Sequence, residues 1–212
     1  MSIIKSFSIN FSSWMNKIFG KRSAKIGIYG PPNAGKTTLA NRIVGDWSGE
    51  KLGSASNIPH ETRRAIRSDG VVIKGNNNSR VKLDIVDTPG MATKIDFREF
   101  MAFGMNEAEA KKRAKEATEG VIEAVKWLDD LDGVLLVMDS AEDPYTQVNV
   151  TVVGNMEARK LPLLIVANKM DLDNASPTRI KAAFPQHPTV AISAQNGTNI
   201  NELYQAITKN FG

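Results

Sequence analysis

The sequence predicts an α/β fold: a mostly parallel six-stranded sheet with one antiparallel strand and helices on both faces. Three observations predict it. Short β-branched runs alternate with longer helical patterns along the chain. Two neighbouring runs, 71–75 and 81–87, are joined through Asn76, Asn77, Asn78 and Ser79, too little chain for a crossover, so they pair as an antiparallel hairpin. The 212 residues, 42% apolar and 24% charged, suit one domain with one ample core and a modest extension.

In chain order, residues 1–24 form a leader ahead of a domain spanning 25–212. Ile4, Phe7, Phe11, Trp14 and Ile18 recur at helical spacing, and Ile3, Met15 and Phe19 widen that face. Ser6, Ser8, Ser13 and Lys17 lie largely opposite, although Ile9 breaks the polar side. An amphipathic helix with a basic tail can lie in a membrane interface through residues 3–22, or pack against the following domain or a second copy of the chain; the third alternative is that the segment stays disordered. The strands follow at 25–30, 71–75, 81–87, 133–139, 161–168 and 189–193, with helical patterns at 36–44, 106–130, 148–158 and 199–209. The long helix carries i to i+4 charge pairs, Glu107 with Lys111, Glu109 with Arg113 and Lys115 with Glu119. Val121, Ile122, Val125 and Leu128 offer it an apolar face, so it protrudes at first and then docks.

Charge and composition exclude several classes. The net charge of +4 belongs to the leader: residues 1–25 hold five basic residues and no acid, and the other 187 residues sum to −1. Nothing in that body argues for nucleic acid. Absence of cysteine excludes disulfides and thiolate metal sites and fits a cytoplasmic location. The longest strongly apolar stretch, 161–167, is interrupted by Pro162 and falls far short of the roughly 20 residues that span a bilayer. The interleaved leader is likewise a poor signal peptide.

Four short motifs carry chemistry, each at the end of a predicted strand. Gly30-Pro31-Pro32-Asn33-Ala34-Gly35-Lys36-Thr37 fits G-x-x-x-x-G-K-[ST] between a strand and a helix, which marks a P-loop NTPase fold. Its glycines let the backbone curl so that N–H groups face phosphate oxygens at a helix N-terminus, where Thr38 follows in the first turn. Lys36 should bridge the β and γ phosphates, and Thr37 should bind magnesium through its hydroxyl. Asp87-Thr88-Pro89-Gly90 places a carboxylate that can accept from magnesium-bound water, and the Gly90 N–H can meet a γ-phosphate. On its own that motif reads equally well as a tight turn. In Asn168-Lys169-Met170-Asp171, the Asp171 carboxylate can accept from guanine N1–H and the 2-amino group, whereas adenine presents no such donors. Lys169 can lie along the base, Asn168 ties its loop to the phosphate loop, and Ser193-Ala194 offers the Ala194 N–H to guanine O6.

Over about residues 25–210 the chain resembles the Era and TrmE branch of the translation-factor class of P-loop GTPases. The resemblance implies GTP and GDP as ligands, magnesium as cofactor and hydrolysis of GTP, with Lys36, Gly90 and a switch threonine taking part. Pro59-His60-Glu61-Thr62-Arg63-Arg64 is similar to the branch's first switch, making Thr62 the second magnesium-binding hydroxyl; the alternative is an ordinary loop threonine. Met91 stands where Ras-like proteins place a water-orienting glutamine, and a thioether cannot take that role. In related potassium-dependent GTPases an asparagine at the place of Asn33 helps bind a monovalent cation; otherwise Asn33 simply favours the turn.

Two departures bear on partners. Era proteins continue into an RNA-gripping KH domain, which this sequence lacks after Gly212, so RNA binding is not carried over. The segment 91–131 is longer than the corresponding switch region, with Phe97, Phe100, Met101, Phe103 and Met105 clustered before the long helix. That cluster reads as a nucleotide-gated surface for a protein effector, or as a lid on its own domain. A scaffold with negligible hydrolysis, a nucleotide-dependent dimer, peripheral attachment at the inner membrane face and, on the resemblance alone, an assembly factor for ribosomes or tRNA are the alternatives.

Overall fold

The computed structural model describes residues 24–48, 66–74, 80–88, 90 and 95–212. Residues 1–23 of the leader, the 59–64 segment with Thr62, the hairpin tip, Pro89 and Met91 lie outside them, while Ala24, the last leader residue, opens the first strand. The elements run β1 (Ala24–Tyr29), α1 (Lys36–Ser48), β2 (Ile66–Lys74), β3 (Arg80–Asp87), α2 (Phe97–Met101), α3 (Glu107–Trp127), β4 (Gly133–Asp139), α4 (Gln147–Arg159), β5 (Leu163–Asn168), α5 (Pro177–Ala183), β6 (Thr189–Ala191) and α6 (Ile200–Phe211).

The strands lie in the order β2-β3-β1-β4-β5-β6. All adjacent pairs are parallel except β2 with β3. The predicted hairpin is therefore real, although β2 begins at Ile66, five residues before the sequence suggested. The extra residues carry a register shift between Ser68 and Val71. Buried Asp84 satisfies this bulge by accepting from the Gly70 N–H at 2.8 Å and from Arg67 Nη2 at 3.1 Å.

Successive side chains of a strand point to opposite faces, and β4 shows why its whole run is apolar. Leu135 and Val137 join Ile26, Ile28, Leu39, Ile43, Leu203 and Ile207 in the layer under α1 and α6. Val134, Leu136 and Met138 join Ala124, Leu128, Val152, Met156 and Ile180 in the layer under α3, α4 and α5. α4 starts at Thr146, whose hydroxyl accepts from the Asn149 N–H at 3.2 Å, and stops at left-handed Lys160. α2 and α5 are short helices that periodicity alone did not distinguish from loop.

The long helix differs from expectation in the face it buries. Ile122 is 52% exposed and Val125 37%, while the buried stripe is Ala110, Arg113, Ala117, Gly120 and Ala124. Small residues at three- and four-residue spacing let a helix approach its neighbours closely, and that outweighs the larger apolar side chains on the other side. Glu109 does not pair with Arg113. It closes a capping box instead, accepting from the Asn106 N–H at 3.1 Å while Asn106 Oδ1 accepts from the Glu109 N–H at 2.9 Å. Glu107–Lys111 and Lys115–Glu119 meet at 2.6 and 4.0 Å, the latter at the limit of contact. The N-terminal half of α3 packs with α2 in a satellite core around Phe100, with Phe97 and Met105 against it, while Met101 and Phe103 stay exposed. The C-terminal half joins the main core through Ala124 and, just beyond α3, Leu128.

Candidate functional site

Every strand end that the sequence singled out, where it is described, opens on the carboxyl edge of the sheet. β1 leads through Gly30 to α1, and backbone φ values of +146° at Gly30, +59° at Asn33 and +92° at Gly35 give the connecting loop its curl. A side chain at Gly30 would collide with the Val137 carbonyl, and one at Gly35 with the Asn168 amide, so both positions require glycine.

Lys36 opens α1 and is buried, its Nζ donating to the Pro31 carbonyl at 2.7 Å. Burial lowers its pKa to about 8, and the Asp87 carboxylate pulls only partly the other way. The ammonium is thus held in a dry place with too little negative charge, a position that a phosphate would complete. Beside it the Thr37 hydroxyl donates to Asp87 Oδ2 at 2.7 Å, and Asp87 is fully buried at the end of β3. Thr88 turns the chain by donating from Oγ1 to the Ile28 carbonyl at 2.6 Å, which ties β3's end to β1. A Cβ at Gly90 would stand 2.9 Å from Pro32 Cα, so the two loops touch here. Adjacent hydroxyl and carboxylate oxygens fit a hard divalent cation such as magnesium. Among the described residues no group of three or more His, Asp or Glu could hold a metal by itself. A cation here would therefore share its shell with phosphate and water.

At the other end, Asn168 spans two loops. Its Nδ2 donates to the Ala34 carbonyl at 2.9 Å and its Oδ1 accepts from the Ala194 N–H at 2.9 Å. A carbonyl on one side and an N–H on the other fix the orientation of the amide. The Ala194 N–H, expected to meet guanine O6, donates to Asn168 in this structure. Ser193 Oγ donates to Asp171 Oδ1 at 2.5 Å and holds that carboxylate in place. Lys169, in a left-handed conformation, pairs with Asp139 at 2.7 Å. Thr38 sits in the first turn of α1, and Ala34 is buried beneath the loop.

The described site residues thus form two linked groups: Gly30, Asn33, Ala34, Gly35, Lys36, Thr37, Thr38, Asp87 and Gly90 around the phosphate loop, and Asn168, Lys169, Asp171, Ser193 and Ala194 beyond it. Sequence reading missed Asp139, whose one signal was an acid ending an apolar run, and Arg42, whose side chain crosses from α1 to the Ala194 and Gln195 carbonyls.

This fold, with a glycine-lined phosphate loop between β1 and α1, defines a P-loop nucleotide-binding protein. Comparison with known proteins narrows the class. Residues 25–169 match the family described as 50S ribosome-binding GTPase, and the chain belongs to that family. It is 30% identical over 188 residues to the tRNA modification GTPase MnmE of Nitrosomonas europaea, covering 89% of this chain and 35% of that protein. Against GTPase Era of Carboxydothermus hydrogenoformans it is 29% identical over 191 residues, covering 88% of this chain and 54% of that one. The chain therefore spans about half or less of these relatives' lengths. An Aquifex aeolicus Era variant bound to GDP and aluminium fluoride shares the fold with a TM-score of 0.67 and 24% identity, over 91% of this chain and 58% of the other. Era in complex with MgGDPNP and a 16S ribosomal RNA fragment superposes with a TM-score of 0.64 and 25% identity, over 89% and 57%.

Proposed function

We propose that the chain binds GTP and GDP with magnesium and hydrolyses GTP to GDP and phosphate as a molecular switch. One observation carries the reading: a buried ammonium, Lys36, and a hydroxyl–carboxylate pair, Thr37 with Asp87, meet at one sheet edge that Asn168 bridges to the Asp171 loop. In this reading Lys36 lies against the β and γ phosphates and the N–H groups of residues 33–38, past the two prolines of the loop, line their oxygens. Thr37, Asp87 and, from the segment outside the described residues, Thr62 would hold magnesium, which when bound supplies neutralising charge to those phosphates. The Gly90 N–H faces the γ-phosphate, so its loop responds to that group's presence. Asp171, steadied by Ser193, accepts from the guanine edge and disfavours adenine by leaving buried groups unpaired.

With Met91 following Gly90, the chain needs a substitute for a glutamine that orients water. We assign that supplementary role to a potassium ion held in part by Asn33, which is exposed on the phosphate loop at positive φ. Single-turnover hydrolysis of γ-labelled GTP tests both points. Turnover faster in potassium than in sodium, with the gain lost in Asn33→Ala, is expected; equal rates in both salts would remove potassium from the mechanism. Met91 also favours a second reading, a nucleotide-bound scaffold without turnover, and no phosphate release in either salt would establish it.

No helix among the described residues is long and apolar enough to cross a membrane. We assign the protein to the cytoplasm, with Met101 and Phe103 as the exposed surface for a protein effector. Peripheral attachment through residues 3–22 is tested by vesicle co-sedimentation of the full chain against one starting at Ser23. RNA binding, suggested by the relatives' names, gains no support from a body charge of −1.

A further inference from the structure

Arg42 lies on α1, about 1.7 turns beyond Lys36, yet it makes its bonds with the far end of the site. Its Nε donates to the Ala194 carbonyl at 2.6 Å and its Nη2 to the Gln195 carbonyl at 2.7 Å. A Cβ at Gly197, where φ is +83°, would stand 3.2 Å from Nη1, so glycine lets the loop close over the guanidinium. A planar fork with fixed donors holds two consecutive carbonyls in one orientation, which a flexible ammonium cannot do.

That orientation has a consequence for the loop's N–H groups. In a trans peptide the carbonyl and the following N–H point in opposite directions, so anchoring the Ala194 carbonyl on α1 aims the Gln195 N–H away from α1. The neighbouring amides are already committed: Ser193 N–H to the Thr198 carbonyl, Ala194 N–H to Asn168, Asn196 N–H to Ser193 Oγ and Gly197 N–H to the Ser193 carbonyl. Gln195 N–H has no partner among the described residues.

We propose that Arg42 is a positioning residue for guanine selectivity, fixing the 193–197 loop so that the Gln195 amide meets the 6-oxo group of the purine. The proposal rests on the guanine-nucleotide reading above and adds to it a residue on the phosphate-loop helix that sets recognition of the base. Arg42 does not touch the nucleotide; it acts through the loop.

The test is equilibrium binding of GDP, 6-thio-GDP, IDP and ADP to the full chain, wild type, Arg42→Gln and Arg42→Lys, by displacement of a fluorescent nucleotide in magnesium. The sulfur analogue weakens only the 6-position acceptor, and IDP lacks only the 2-amino group that Asp171 reads. Arg42→Gln is expected to lose about tenfold in GDP affinity, the equivalent of one charge-assisted hydrogen bond. Its preference for GDP over 6-thio-GDP should fall towards unity while its preference over IDP stays at the wild-type value. Arg42→Lys, able to reach one carbonyl, should lie between, and it serves if the glutamine variant does not fold. Unchanged preference for GDP over 6-thio-GDP, or loss of both preferences together, overturns the proposal, because a clamp needed only for packing loosens every contact alike. Wild-type protein that fails to prefer GDP over ADP would instead refute the guanine reading itself, and this proposal with it.

Discussion

Replacing Lys36 by methionine should stabilise the nucleotide-free protein while abolishing nucleotide binding. Burial holds the ammonium at a pKa of about 8 against the ordinary 10.5, a difference worth roughly 3 kcal/mol against the fold at neutral pH. Methionine keeps an unbranched chain and removes the charge. It also removes the Nζ bond to the Pro31 carbonyl, which returns roughly 1 kcal/mol. The net gain is about 2 kcal/mol, or about 4–8 °C in Tm for a chain of this size. The pH dependence follows from the sign. Because the folded-state pKa lies below the unfolded one, the unfolded chain binds more protons between them, and wild-type stability rises with pH across that window. The penalty is complete below about pH 8 and falls to roughly 1 kcal/mol near pH 10, so the variant's advantage is largest at neutral pH and vanishes towards pH 10. Urea unfolding of both nucleotide-free proteins at about pH 7, 8.5 and 10 measures it. A variant less stable than wild type at neutral pH, or an advantage independent of pH, would show that the ammonium is not strained by its surroundings.

Three further outcomes are expected. Asp171→Asn presents a donor where the purine's 2-position needs an acceptor, so affinity should move from guanosine to xanthosine diphosphate, with a relative change of about 10² or more in competition binding. Asn168→Ala leaves the Ala34 carbonyl and the Ala194 N–H unpaired, and calorimetry should record a loss of about 2–4 kcal/mol together with weakened GDP binding. Gly90→Ala drives a methyl against the Pro32 backbone, so a non-hydrolysable GTP analogue should bind at least about tenfold more weakly in titrations that leave GDP affinity nearly unchanged.

The parallel strands were legible because burial on both faces writes an unbroken apolar run, as in β4, and because strand ends carrying phosphate and base chemistry need particular residues at fixed spacing. Asp87 and Thr37 illustrate this: 50 residues apart in sequence, they meet at 2.7 Å because β1 and β3 are adjacent and parallel. The long helix was misread because alanine and glycine weigh little in an apolar count, although smallness is what α3 needs against its neighbours. The start of β2 was missed because Ser68, Asp69 and Gly70 have the composition of a turn, and their bulge is satisfied by Asp84 from the next strand, a contact no local window contains. Arg42 and Asp139 were invisible for the same reason: each acts on a partner supplied by a distant loop.

The Tyr29 hydroxyl, one residue ahead of Gly30, donates to the Ala124 carbonyl at 2.7 Å inside the protein, and burial raises its pKa. α3 is therefore bolted to β1 near its carboxyl end, while its amino end, carrying Glu107, rests on the small α2. A rod pinned in this way is a lever. With 1.5 Å of rise per residue, the span from Ala124 back to Glu107 is about 25 Å, so a tilt of about 10° at the pinned end would carry the Glu107 end, with the α2 packed on it, through about 4 Å. Small adjustments beside the phosphate loop would emerge at Met101 and Phe103 as displacements large enough for another molecule to read.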